Sequence, residues 1–160
     1  MADFPEQPAV FIPNKRPISA KHASKNGPEV AGVNTSGLVA DIDTFLLQTQ
    51  DGHEAQYLCA FLNAPFVDET IKPHQTRGQW GERHIYRRPF EVMSIPKFDP
   101  EDKRHQKLAE ISKECHQKVA KLALTGKSIG FLRNKVRDYL SRELAGIDKI
   151  VRDILSTGVG

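Results

Sequence analysis

"HEAQYLCAFLNAPFVDETIK", residues 53–72, is where the period of the chain changes. Tyr57, Leu58, Phe61 and Leu62 recur at spacings of three and four, which puts them on one face of a helix from about 53 to 63. Pro65 interrupts it. Because proline is tolerated in a first helical turn, a second short helix through Phe66, Val67 and Ile71 follows directly. Upstream the pattern is that of short strands and loops. "PAVFIP" (8–13) predicts a strand closed by proline. "NKRPISAKHASKNGPEVAG" (14–32) is a long loop with room for one short strand near Val30, and "LVADIDTFLLQTQDG" (38–52) alternates partially before the turn signal Asp51-Gly52, predicting a strand near 38–49.

Downstream the period is helical twice. "DPEDKRHQKLAEISKECHQKVAKLAL" (99–124) sets Leu108, Ile111, Cys115, Val119 and Leu122 on one stripe, with Asp99 as the expected N-cap and Glu101 and Asp102 in the first turn. Thr125-Gly126-Lys127 is the break. "SIGFLRNKVRDYLSRELAGIDKIVRDIL" (128–155), capped by Ser128, repeats the stripe with Leu132, Val136, Leu140, Leu144, Ile147, Val151 and Ile154. Two helices of about 24 and 28 residues, about 36 and 42 Å long at 1.5 Å per residue, are expected to pack as an antiparallel hairpin. Such helices outrun a compact domain of this size, so part of the seam, at Leu132, Val136, Leu140 and Leu144, is expected to meet another protein, a second copy, or a missing portion of the same polypeptide. The expected class is therefore α+β. A small mixed sheet with short helices forms an α/β core over residues 1–98, and a long helical hairpin over 99–160 completes the same structural unit.

Composition bounds the function. With 160 residues, 39% apolar and 27% charged, the chain reads as one soluble globular domain. No apolar run approaches the roughly 20 residues of a membrane span, and the N-terminus lacks a signal-peptide pattern, so no membrane partner and a cytoplasmic location are expected. Cys59 and Cys115 sit in helix-like patterns and read as buried thiols rather than a disulfide or zinc site. A phosphate-binding glycine loop, a GxSxG elbow, an HExxH pair and a CxxC are absent, and no two of the six histidines stand at i,i+3 or i,i+4 on a shared helix, so no catalytic residue, metal ligand or cofactor is assigned to this chain. Glu101 and Lys103 have the Glu-x-Lys spacing of many nucleases, which keeps a small nuclease as a third reading.

The net charge of +3 is unevenly spread. Residues 13–26 hold Lys15, Arg16, Lys21 and Lys25 without an acid; residues 71–90 hold Lys72, Arg77, Arg83, Arg87 and Arg88 against Glu82. Each segment carries +4 and residues 101–156 carry +5, leaving −10 for the rest. A polyanion is the partner this polarity fits. "IKPHQTRGQWGERHIYRRP" (71–89) interleaves Arg77, Gln79, Trp80, Arg83, His84, Tyr86, Arg87 and Arg88 around two glycines. Arginine grips phosphate or pairs bidentately with guanine, glutamine pairs with adenine, and the Trp80 ring stacks or wedges, so Arg77, Gln79, Trp80, Arg83, His84, Arg87 and Arg88 are the expected DNA contacts, with Lys15, Arg16, Lys21 and Lys25 as a second basic loop. The competing reading is a surface hairpin with Trp80 and Ile85 in the core and the arginines solvated.

The order of "QYLCAFLNAPFVDETIK" (56–72) and "EVMSIPKFDPEDKRHQKLAEISKECHQK" (91–118) resembles the C-terminal target-recognition (specificity) domain of Taq-type adenine-specific DNA methyltransferases and of fused restriction-modification enzymes. There a "YLLALLNS"-like helix precedes a variable basic segment, then a "PIP" bend and a long helix opening with acids and a histidine. Here Tyr57, Leu58, Leu62 and Asn63, then Ile95 and Pro96, then Asp99, His105 and Leu108 stand at those places, over residues 9–122 in all. The resemblance implies a non-catalytic module that reads double-stranded DNA. Its chemistry, using S-adenosylmethionine, would belong to an associated methyltransferase domain or subunit of an N6-adenine DNA methyltransferase or restriction enzyme. It carries the DNA-contacting role to Arg77, Gln79, Trp80, Arg83 and Arg87, and to Lys15, Arg16, Lys21 and Lys25. The alternative is a helical protein-interaction module, a homodimer through the hairpin included, that does not bind DNA.

Overall fold

The computed structural model describes residues 9–13, 21–23, 44–49, 51–77, 83–84, 91–125 and 128–157. Asp51 sets the first helix, α1 (Gly52–Asn63): its carboxylate accepts from the His53 N–H at 2.8 Å, satisfying one of the donors that a first turn leaves without partners. Ala55, Tyr57, Cys59, Ala60, Phe61 and Leu62 are all buried. Burial on so much of its circumference makes α1 the central helix. Pro65 opens α2 (Pro65–Ile71), which buries Val67 and Ile71.

Three more helices enclose this pair: α3 (Lys103–Ala120), α4 (Ile129–Tyr139) and α5 (Ser141–Thr157). The closest partner of α1 is α3, which presses Leu108 and Ala109 into the core and adds a buried polar link where the Ser112 hydroxyl donates to Gln56 Oε1 at 2.7 Å. Helix α5 closes the other side with Ile147, Val151 and Ile154 at i, i+4 and i+7. It also reaches back to α2. Asp148 accepts the Phe66 N–H at 2.6 Å, supplying a cap that Ala64 cannot, and Arg152 lies 4.2 Å over the Phe66 ring while its guanidinium holds Asp148.

Between α2 and α3 the chain is pinned by one buried ring. The Tyr57 hydroxyl donates to the Pro96 carbonyl at 2.9 Å, and its ring lies 4.6 Å from that of His105 and 5.6 Å from that of Phe98. His105 Nδ1 accepts the Asp99 N–H at 3.0 Å, which fixes the bend at the entry to α3. Burial pushes the Tyr57 phenol well above its usual range, and the nearby Asp102 carboxylate adds to that. Asp102 caps α3 through the Arg104 N–H at 2.7 Å; hydrogen bonds from the Arg104 side chain hold its carboxyl down at about 2.

Three expectations are corrected. The fold is helical, not α+β with a small mixed sheet. The described buried cluster is built from helices and their junctions, and the extended segments are short and purely antiparallel: β1 (Ala9–Pro13) between β2 (Lys21–Ala23) and β3 (Thr44–Gln48), and a two-residue ribbon of β4 (Thr76–Arg77) and β5 (Arg83–His84). Within the span 38–49, where a strand was expected, the described extended segment is β3, on which Leu47 is 39% exposed. The N-cap of α3 is Asp102 rather than Asp99, which caps the preceding turn by accepting the Glu101 N–H at 2.8 Å. The long hairpin is absent. The second helix breaks at Leu140, whose φ of −97° and ψ of 12° leave the helical region, and only α5 lies back on α3. An unbroken helix of about 42 Å would carry the stripe past the core, whereas the break buries Leu140 and lets Glu143 pair with Lys118.

Two outcomes are expected. Tyr57→Phe should cost about 1 kcal/mol, the net worth of one hydrogen bond, and Tyr57→Ala about 3–5 kcal/mol, both read by urea denaturation. Because the folded-state carboxyl of Asp102 is depressed, its contribution is present above the usual carboxylate range and is lost as pH falls toward 2. Asp102→Asn, which keeps a capping oxygen, should therefore be less stable than the parent at neutral pH, with the gap closing between about pH 4 and 2 in thermal melts.

Candidate nucleic-acid interface

The basic segment is held at both ends by buried residues. Helix α2 runs into a 3-10 turn at Lys72–His74, and after it Gln75 is 8% exposed; on the far side Met93 is 3% exposed, two residues before the bend pinned by Tyr57. Between these anchors β4 and β5 pair antiparallel, Thr76 opposite His84 and Arg77 opposite Arg83. The ribbon therefore brings together three of the sequence-predicted residues, Arg77, Arg83 and His84, and the five residues that join its strands include Gln79 and Trp80. Lys21 lies on β2, paired with Phe11 of β1, in a sheet that packs beside α1. Gln79, Trp80, Arg87, Arg88, Lys15, Arg16 and Lys25 lie outside the described residues, as does Ile85 of the competing hairpin reading.

The four seam residues are dispersed by the break at Leu140. Leu132 and Val136 are half-buried on α4, Leu140 is buried at 7% exposure in the break itself, and Leu144 is half-buried on α5. They form no single straight seam. Sequence reasoning also missed Arg133 and Arg137 on α4, which are exposed and make no ion pair among the described residues, unlike Arg104 and Arg152 in the body. Their excess over Asp138 was legible in the composition of that helix.

Reactive chemistry finds little support among the described residues. Glu101 is exposed in the turn before α3, and no group of three His, Cys, Asp or Glu side chains is arranged to hold a metal ion. Cys59 is buried and Cys115 half-buried, both as free thiols. Burial, with the Glu143 carboxylate adding to it, pushes Cys115 up to about 11, so it stays a thiol at neutral pH. A shallow groove of about 450 Å³ between α3 and α5 is lined by charged residues of both signs, and the Lys118–Glu143 ion pair spans it. Among the described residues no helix is long and apolar enough to cross a membrane. The ribbon of β4 and β5 is where the described residues bring sequence-predicted contacts together. Comparison of the chain with protein-family models, with curated proteins and with solved structures returns no match.

Proposed function

We propose that the chain is a non-catalytic module that reads double-stranded DNA, serving a methyltransferase domain or subunit that would carry adenine-methylating chemistry with S-adenosylmethionine. The observation that carries the reading is the register of Arg77 opposite Arg83 within the segment 71–90, which holds Lys72, Arg77, Arg83, Arg87 and Arg88 against Glu82 and includes Trp80. Like charges at directly opposed positions weaken an antiparallel pair, and an anion between them relieves that cost. Phosphate supplies such an anion at regular intervals, and a segment anchored at both ends, at Gln75 and Met93, can then present Gln79, Trp80 and Arg87 to base edges in a groove. The order of the Tyr57 helix, the Pro96 bend and the His105 helix supports the same reading through its resemblance to target-recognition domains. In this reading the acid-free segment of Lys15, Arg16, Lys21 and Lys25, with Lys21 on β2, adds phosphate contacts, as do His84 and Arg88.

Fluorescence anisotropy on mixed duplexes tests it. Binding should weaken steeply with added salt, and Arg83→Ala or Arg87→Ala should weaken it by about 1–3 kcal/mol where the residue contacts a base. Absence of salt-sensitive association at low ionic strength would sink the proposal. Arg77→Glu offers a sharper discrimination: it turns a repulsive cross-strand pair into an attractive one, so stability should rise by about 0.2–1 kcal/mol while DNA affinity falls.

A further inference from the structure

Helix α4 is the described helix that buries none of its residues. Four of its apolar side chains are nevertheless ordered on one stripe, with Phe131, 53% exposed, on the other side of the helix. Ile129, Leu132, Val136 and Tyr139 fall within about 80° of one another at 100° per residue, with Ile129 70% and Tyr139 49% exposed. Arg133 and Arg137 follow one edge of this stripe, both exposed and without an ion pair among the described residues. Lys135 borders the other edge and donates to the Ala123 carbonyl at 2.8 Å, which ties α4 to the connector after α3. Asp138, the one acid of the helix, lies on the side away from the stripe.

We propose that α4 docks an amphipathic helix of a partner protein whose apolar stripe is bordered by carboxylates. Charge decides the occupant. In a pair of two copies, antiparallel packing sets the Arg133–Arg137 edge against itself and parallel packing sets it against Lys135, so cations meet cations either way. A partner with Glu or Asp along its edges satisfies the two unpaired arginines and covers the stripe together, in the helix-against-helix mode that uses i, i+3 and i+7 anchors. A lipid surface fits less well, because Leu132 and Val136 are already half covered by the chain itself. DNA would leave the apolar stripe without a counterpart. The surface is independent of the basic ribbon, so it stands whether or not that ribbon binds DNA.

The test titrates the full chain, labelled with ¹⁵N, with two synthetic 14-residue helical peptides. Both carry leucines at i, i+3, i+4 and i+7; one has flanking glutamates and the other flanking lysines. The glutamate peptide is expected to bind with shifts confined to 129–139, to weaken with salt, and to lose about tenfold or more in affinity in Val136→Ser. In the double variant Arg133→Glu, Arg137→Glu, which changes exposed side chains only and leaves the fold intact, preference should pass to the lysine peptide. Equal binding of both peptides, no binding of either, or shifts elsewhere on the chain overturns the proposal. So does a concentration-dependent dimer by light scattering that the Val136→Ser variant abolishes, or sedimentation with phosphatidylserine vesicles in place of peptide binding.

Discussion

The buried ring of Tyr57 is the constraint from which the rest of the molecule follows. A phenol taken fully out of water needs a partner for its hydroxyl, and the Pro96 carbonyl supplies it, so the connector between α2 and α3 is held to the face of α1. Proline at 96 and at 100 prevents that connector from forming a helix of its own, and the ring contacts with Phe98 and His105 fill the space beside it. His105 in turn accepts from the Asp99 backbone with Nδ1, which fixes where α3 can begin. Direction of the chain into α3, and hence the α1–α3 packing through Leu108, depends on this one group of rings. The residues that carry the resemblance to target-recognition domains are largely these same ones, so their spacing has a structural reason whatever the module binds.

Much of the helical body was legible in the sequence. The spacing of Tyr57, Leu58, Phe61 and Leu62 marked α1 to within a residue of its observed start, and Pro65 marked the join to α2, because proline's missing N–H and fixed φ are local properties. The cap of α3 was misplaced by three residues. Two aspartates flank Pro100, and which one caps the helix is decided by Arg104, whose backbone and side chain both select Asp102. The unbroken second helix was misread for a different reason. The apolar spacing through Leu140 fits one long stripe, yet α5 is positioned by the Lys118–Glu143 pair and by Asp148 at the start of α2, both long-range contacts with no local signature. The fold class failed in the same way. Short apolar runs such as "PAVFIP" and "TFLLQ" do form extended ribbons, but the buried cluster among the described residues is built from helices and their junctions, and nothing in a run of five residues says which element will own the core.

The proposed DNA contacts show the opposite balance. Charge and composition drew attention to the segment from 71 to 90, and those are properties that need no fold to be seen. Pairing of Arg77 with Arg83 depended on where the ribbon closes, which neither charge nor period specifies. On α4 the sequence offered the apolar stripe and hid its meaning, since the same leucine and valine would be core residues had the helix continued straight onto α3.

Helix α2 takes its missing cap from Asp148, which stands 82 positions further along the chain than Phe66. During synthesis, then, the segment that carries the basic ribbon emerges from the ribosome long before the carboxylate that completes its platform. The early helices must wait, with the α5-facing side of α2 uncovered, until α5 has been translated and has folded back. Nascent chains of this protein should be most in need of chaperone protection over that interval, and shortening the chain before Asp148 removes a support for the β4–β5 ribbon without touching the ribbon itself.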